Sequence, residues 1–426
     1  MIRTIARYGA RHVPGSVSAA LKALLRGDGL EGPSIREFEK QFAGYHGIQH
    51  AISASYGRMA FHYILRSLDL PPGSEIIFPA LTFWVVPEMA RVLGYRPKFI
   101  DIDPGTFNLD PVKFEAAISP NTRAVVPTHL YGQPCDMEPI MESARAHGLF
   151  VIEDCAHALG ATYKGKKVGT FGDASFFSFQ MLKPLNTYGG GMAVTNDASL
   201  AARIRSLAEA EKWPVSKVLF KKILFGNLQR KLIGPYSFTF TIFLAFYIAS
   251  FFGDYDLSRY FWEGIRPLDP LPDSYRKRYT NAQAIIGLAM LRNIDAFNAL
   301  NQKHAKKLKA GLAGIDAIQP PATPPETQSV YYQYCIRAAD PDALKHRAIR
   351  SGVDIEIMHV DICNVLDIFE PFKTKCSVAE GTEHTLQLPV YASLTDEDLD
   401  RIINVIQTTF PGSGQLLTTN ERTTER

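Results

Sequence analysis

The apolar and polar positions fall into two rhythms, with one stretch that fits neither. Between about residues 50 and 200, short apolar runs alternate with helical spacing. The runs 74–79 (SEIIFP), 96–102 (RPKFIDI), 123–129 (RAVVPTH) and 149–154 (LFVIED) read as buried strands, and 83–93 and 137–147 as helices between them. Strands alternating with helices of this length predict βαβ units around a mostly parallel sheet, and a helix over 196–208 continues the pattern. The first 50 residues are a lead-in, with helices over 16–25 and 35–45 separated by the Gly-rich break GDGLEGPS. One or two helices begin at a Thr280 cap and run to 313. Beyond the turn-rich QPPATPPETQ come a strand over 329–338, a helix over Pro341–Arg350, strand-like pieces up to LQLPVY, and a closing helix over Asp396–Thr408. The predicted organisation is a large domain over 1–212, an insertion over 213–270, linking helices over 271–314, a small C-terminal α/β domain over 315–411, and a disordered polar tail over 412–426.

The densest chemistry lies in 149–195. Asp154 closes a buried strand, the ligand-facing end in an open α/β sheet. Ser178 follows 24 residues later and Lys183 29 residues later, just ahead of Tyr188 and Gly189–Gly191. An acid, a hydroxyl and a lysine in this order can together hold pyridoxal 5'-phosphate. The acid keeps the pyridine nitrogen protonated, the hydroxyl binds the phosphate, and the lysine amine forms a Schiff base and shuttles protons.

This segment resembles the sugar-aminotransferase (DegT/StrS) family of fold-type I pyridoxal-phosphate enzymes. LRGDGLEGPSIREFEKQFAGYHG, GSEIIFPALTFWV, VVPTHLYGQPCDMEPIM, AQAIIGLAML and LPVYASLTDEDLDRII match in the same order, so the likeness covers the chain outside the insertion. The resemblance implies that Lys183 is the Schiff-base lysine, Asp154 the pyridinium partner and Ser178 the phosphate-binding serine. His157 stands near the cofactor's phenolic oxygen, where the family usually has glutamine. Phe83 falls where an aromatic ring stacks on the cofactor. Gly57 and Arg58 match a Gly-Thr pair whose amides bind phosphate at a helix N-terminus. Two departures stand out. Arg58 replaces the threonine, and in SYRKRYTNAQA (274–284) Arg276 stands where the family has Asn, two residues before Arg278. The family brings this segment to the active site from a neighbouring subunit, which implies a homodimer. Its Arg-Asn-His-Gly segment has no counterpart in RSLAEAEKWP.

In the insertion, 216–233 brings Leu219, Ile223, Leu228 and Leu232 near one helical face beside Lys217, Lys221, Lys222, Arg230 and Lys231. That is the pattern of a basic helix on an anionic membrane surface. Residues 232–253 then carry no charge over 22 positions and hold eight aromatics between Tyr236 and Phe252. The length would allow a span. A span would, however, separate Lys183 from the small domain, and one site needs both. The expectation is membrane-surface contact through 216–252, against a dimer interface or an active-site lid.

Composition narrows the classes. The chain has 426 residues, 46% hydrophobic and 21% charged, which suits two or three globular domains and excludes a disordered or fibrous protein. A net charge of +3 is too weak to argue for nucleic acid. Five cysteines (Cys135, Cys155, Cys335, Cys363, Cys376) form no CxxC pair, so no metal cluster is expected and reduced thiols in a cytoplasm are. The basic N-terminus lacks the apolar core of a secretory signal. A cytoplasmic enzyme, peripheral on the inner membrane face, is therefore expected. Its reaction would move an amino group from an amino acid, by resemblance glutamate, to a nucleotide- or lipid-linked keto sugar. Two alternatives stand beside it. Asp154-Cys-Ala-His157 also resembles the Asp-x-Ala-His run of enzymes condensing amino acids with acyl thioesters, and a non-catalytic membrane-docked scaffold would need no turnover. Lys183 argues against the family branch that dehydrates sugars, which lacks the lysine.

Overall fold

A computed structural model describes residues 3–251, 264–357 and 360–411. The expected tail over 412–426 and the 252–263 part of the insertion, Phe252 included, lie outside the described residues.

Helices α1 (Ser16–Arg26) and α2 (Ser34–His46) lead into β1 (His50–Ala54). The large domain continues with α3 (Gly57–Leu68), β2 (Glu75–Pro79), α4 (Val85–Val92), β3 (Arg96–Ile100), α5 (Pro111–Ala117), β4 (Thr122–Val125), α6 (Met137–Ala146) and β5 (Phe150–Asp154). A small excursion, β6 (Thr162–Tyr163) and β7 (Lys166–Lys167), precedes β8 (Ala174–Ser178), β9 (Gly191–Thr195) and α7 (Ala198–Ala210). The seven-stranded sheet has the order β1-β9-β8-β5-β4-β2-β3, parallel except for β9, which runs against both of its neighbours. Fold-type I architecture, read from the resemblance, is thereby realised. Helices cover both faces, which is why the strands read as unbroken apolar runs. Alternation across the pleat splits them between two cores: Phe176 packs with Phe61, Phe78 and Trp84, while Phe177 packs with Phe38, Phe42 and Phe179.

Helix α8 (Ser216–Leu232) and the short α9 (Pro235–Phe240) and α10 (Ile242–Ala249) form the insertion. Then α11 (Asn281–Leu291) starts where the Thr280 side chain accepts the Gln283 N–H, and α12 (Ile294–Gly311) crosses to the small domain. There β10 (Ile318–Gln319), β12 (Tyr334–Ala338), β13 (Glu356–Ile357) and β14 (Leu386–Leu388) make an antiparallel sheet, order β10-β12-β14-β13. It is packed by α13 (Pro341–Arg350) and α15 (Asp396–Thr409), with α14 (Ser377–Glu380) nearby; β11 (Thr327–Gln328) pairs instead with β6.

Three details differ from the sequence reading. The strand expected over 329–338 begins only at Tyr334, because the preceding segment is held by the large domain: Val330 N–H donates to Gly132 O at 3.0 Å and Gln333 N–H to Tyr131 O at 3.2 Å. The first residues of the lead-in pack on the small domain rather than the large one. Ile5 exchanges backbone bonds with Gly352 and Asp354, and buried Arg7 pairs with Asp354 at 2.7 Å and Glu356 at 2.6 Å. In α8, Leu219 and Ile223 are buried against the large-domain core, but Leu228 and Leu232 are 51% and 40% exposed. The four leucine and isoleucine positions therefore do not form one apolar face. Gly234-Pro235 and Thr241 break the uncharged run into short helices, and no helix among the described residues is long and apolar enough to cross a membrane. Phe238, Phe243 and Phe246 pack on Ala6 and Ile349 of the small-domain side.

Candidate active site

Adjacent strands β5 and β8 run in parallel and end at Asp154 and Ser178, so both side chains arrive at the same edge of the sheet. The chain then turns back through 179–190. Phe179 and Gly190 anchor the turn (N–H to O, 2.9 Å), Thr187 and Gly189 both donate to Phe179 O, and Lys183 N–H donates to Gln180 O at 3.0 Å. Tyr188 at φ 58° and Gly189 and Gly190 near φ 120° make the reversal; only glycine adopts the last two without strain. Gly191 then passes so close to α3 that a Cβ there would lie 2.4 Å from the Gly57 backbone nitrogen, and a Cβ on Gly57 would lie 2.9 Å from that of Ser178. Gly57, Ser178 and Gly191 thus form a cradle at the N-terminus of α3. Its N-cap, Tyr56, supplies no side-chain bond, which leaves the start of the helix suited to an anion.

Lys183 Nζ lies 2.6 Å from His157 Nε2. His157 Nδ1 accepts the Tyr131 backbone N–H at 3.3 Å, which assigns the ring proton to Nε2 and makes the lysine nitrogen the acceptor. A neutral amine fits that geometry. Burial agrees, pushing Lys183 down to about 8; Asp154 pulls it up and the Arg58 cation pushes it further down. Burial and then Lys183 also hold the His157 imidazole well below its ordinary range. The Tyr332 ring lies tilted against His157 with centroids 4.4 Å apart, 5.3 Å from the lysine nitrogen.

Burial raises Asp154 to about 6, opposed by the Ala156 N–H on its Oδ1 and by Lys183. A buried carboxyl with one hydrogen-bond donor favours a cation as its further partner. The strand beneath it is braced by Glu153, which accepts from His129 Nε2 at 3.0 Å and from the N–H groups of Gly169, Phe171 and Gly172. Burial alone would raise Glu153, but these bonds hold it below the ordinary carboxylate range. His129, Glu153 and Cys155 cluster closely enough to suggest metal ligands. Both His129 nitrogens are engaged, however, since Nδ1 accepts the Cys135 N–H at 3.0 Å, so the group reads as a brace.

Arg58 fills the space beside the cradle. It donates to the Tyr275 hydroxyl at 2.5 Å, and its guanidinium lies 4.7 Å from that ring and 5.6 Å from the rings of Tyr56 and Phe83. Phe83 remains 39% exposed, an aromatic face open at the site. Lys222 of α8 reaches in from the insertion, 5.0 Å from the Tyr56 ring and 2.5 Å from where a Gly189 Cβ would stand. Seven of the residues read from sequence therefore converge: Lys183, Asp154, His157, Ser178, Gly57, Arg58 and Phe83. Arg276 and Arg278 do not join them within the chain. Arg276 pairs with Glu211 at 3.4 Å, and Arg278 stacks 4.0 Å over Trp213. Sequence reasoning missed Tyr131, Tyr275, Tyr332 and Lys222. Tyr131 and Tyr275 carried a signal, inside the HLYGQP run and the SYRKRYTNAQA segment.

A buried carboxyl facing a neutralisable lysine, a glycine-lined anion cradle and an open aromatic face fit pyridoxal phosphate. A family model described as DegT/DnrJ/EryC1/StrS aminotransferase family matches residues 15–223 and 259–407. The chain belongs to that family. The DegT/DnrJ/EryC1/StrS match breaks over the outer part of the insertion. Among curated members, the chain is 34% identical over 380 residues to the GDP-perosamine synthase of Caulobacter vibrioides, covering 87% of this chain and 89% of that protein. It is 32% identical over 384 residues to the UDP-N-acetyl-3-dehydro-alpha-D-glucosamine 3-aminotransferase of Acidithiobacillus ferrooxidans, covering 89% and 90%. Among solved structures, S. venezuelae DesV in complex with a ketimine intermediate superposes with a TM-score of 0.72 at 26% identity, covering 92% of this chain and 93% of that one. The protein is a pyridoxal-phosphate-dependent aminotransferase of fold type I.

Proposed function

We propose that the enzyme transfers an amino group from glutamate to a keto sugar carried on a nucleotide, and that two copies of the chain share each site. The single observation that carries the reaction type is Lys183 Nζ held 2.6 Å from His157 Nε2, on the same sheet edge as buried Asp154. The sugar assignment is supported by the relatives, whose names specify GDP- and UDP-linked sugars. The shared site is supported by the family's use of the segment that here contains Arg276 and Arg278.

Bound pyridoxal phosphate supplies an electron sink for bond changes at the carbon that bears nitrogen. The chain's own residues do the rest. Lys183, neutral above about pH 8, presents a nucleophilic lone pair and then carries a proton to and from the substrate carbon. His157 fixes the position of that amine through Nε2. Asp154 favours a cationic ring nitrogen, and its own raised pKa falls when such a partner arrives. Ser178 and the amides of the Gly57 cradle hold the phosphate, with Arg58 supplying a cation in place of the usual threonine hydroxyl. Tyr332 and Phe83 bound the cleft on aromatic faces.

The test is the absorbance spectrum of the protein with pyridoxal phosphate before and after L-glutamate, with Lys183→Ala beside it. Conversion to the pyridoxamine form only with Lys183 present, followed by reversal with a nucleotide-linked keto sugar, supports the reading. A cofactor band that glutamate leaves unchanged overturns the donor, and failure to bind the cofactor overturns the reaction.

A further inference from the structure

The insertion is anchored on one side and bare on the other. Leu219 and Ile223 of α8 sit in the large-domain core, and Gly226 packs so closely on the Tyr188 ring that a Cβ would lie 2.5 Å from it. Phe238, Phe243 and Phe246 pack against Ala6 and Ile349. On the outer side, Tyr236, Phe240, Leu244 and Ile248 follow one another at four-residue intervals, each at least half exposed, and Phe251 is 55% exposed. Helix α8 adds Val218 and Phe225, each 61% exposed. Most of the large exposed hydrophobic residues of the described chain therefore lie between 215 and 251. Patches of this kind mark interaction sites.

Charge decides the partner. Residues 212–253 contain Lys212, Lys217, Lys221, Arg230 and Lys231, besides Lys222, which turns inward to Gly189, and not one acidic residue. A second copy related by a two-fold axis would set this basic surface against itself. An anionic bilayer takes both features: the cations meet headgroups while aromatic and aliphatic side chains enter the interface. The breaks at Gly234-Pro235 and Thr241 give short helices, suited to lying in the interfacial plane rather than crossing it.

We propose that the outer face of α8, α9 and α10 docks the enzyme on an anionic lipid surface. This docking does not depend on the catalytic reading. Its location is still informative, because the inner face of α8 touches Tyr188 and reaches Gly189 through Lys222, beside the turn that carries Lys183.

The test is co-sedimentation of the full-length, cofactor-loaded enzyme with vesicles of phosphatidylcholine alone or with phosphatidylglycerol added. The expected result is binding to the anionic vesicles at least about tenfold above the neutral ones, falling as salt rises. A combined Phe240→Ser, Leu244→Ser, Ile248→Ser variant is expected to lose binding by about tenfold or more, with cofactor absorbance and gel-filtration volume unchanged. A second variant, Lys217→Gln with Lys221→Gln and Lys231→Gln, is expected to lose the preference for anionic vesicles without touching the packed faces. Absence of binding to anionic vesicles at low salt overturns the proposal. So does a serine variant that elutes as a smaller species, which assigns the face to a second copy.

Discussion

Lys183 is useful at neutral pH only because its surroundings make the charged form costly. Burial is the largest cause, Arg58 adds to it, and Asp154 opposes both, leaving the amine at about 8 instead of its ordinary 10.5. Capture of pyridoxal phosphate by the cofactor-free protein needs the neutral amine. Its rate is expected to rise about tenfold per pH unit below about 8 and to level above it. An Arg58→Thr variant removes a cation, so its profile is expected to move to higher pH; stopped-flow absorbance across a pH series reads both. Asp154 shows the opposite sign. Its folded carboxyl is raised from the ordinary 3.8 to about 6, so it costs stability that begins to be lost as pH rises past about 4 and is lost in full above about 6. The penalty is up to about 3 kcal/mol at pH 7. Asp154→Asn keeps an acceptor for the Ala156 N–H and removes the charge. The cofactor-free variant is expected to melt at or above the wild-type temperature at pH 7, while transamination falls at least about a hundredfold. A variant that melts lower and stays active would show that the carboxyl is structural.

The cradle belongs to the level of elements, because it exists only where β8, β9 and the start of α3 meet. Gly191 opens β9 against the backbone of Gly57, which opens α3, and Ser178 ends β8 beside them. Gly191→Ala forces the strand and the helix apart. It is expected to cost about 1–3 kcal/mol and to weaken pyridoxal phosphate binding more than tenfold, measured by thermal melting and by cofactor titration. Conservative replacement at Ser178 by threonine would disturb the same contact far less. The strands carrying Asp154 and its central neighbours were legible because both their faces are buried and their sequences are unbroken apolar runs. Strands β1, β8 and β9 were not, since HAISA, ASFFS and GMAVT mix small and polar residues whose burial is decided by the helices above them. The spacing of Asp154, Ser178 and Lys183 was likewise legible, because Asp154 and Ser178 end the neighbouring parallel strands β5 and β8 and Lys183 lies in the turn that follows β8. Tyr332 and Lys222 reach the site from a distant loop and from the insertion, and local pattern carries no trace of that. The aromatic residues at 331 and 332 even read as strand, although they serve the interface between the domains.

At the scale of the whole molecule, the position of Arg276 and Arg278 argues for a site built by two chains. Within one chain Arg276 is held by Glu211 and Arg278 by Trp213, on the segment that leads into the insertion, while Arg58 and Lys222 lie against the aromatic rings beside the cradle of Gly57 and Ser178. If these arginines complete a neighbour's site, then a Lys183→Ala chain and an Arg276→Ala, Arg278→Ala chain are each defective in their own homodimers but complementary when mixed. Half of randomly reassociated dimers would be hybrids, and each hybrid would contain one site with both its lysine and its arginines intact. The mixture is then expected to recover about a quarter of wild-type activity per subunit, after unfolding and refolding together or on co-expression. If the arginines act in their own chain, each hybrid still holds one defect in every site and mixing recovers nothing. The two outcomes differ even when both variants bind pyridoxal phosphate normally, so the experiment separates an intersubunit role from a loss of folding. A quarter of the activity also cannot come from the Lys183→Ala chain alone, because that chain has no amine to carry the proton.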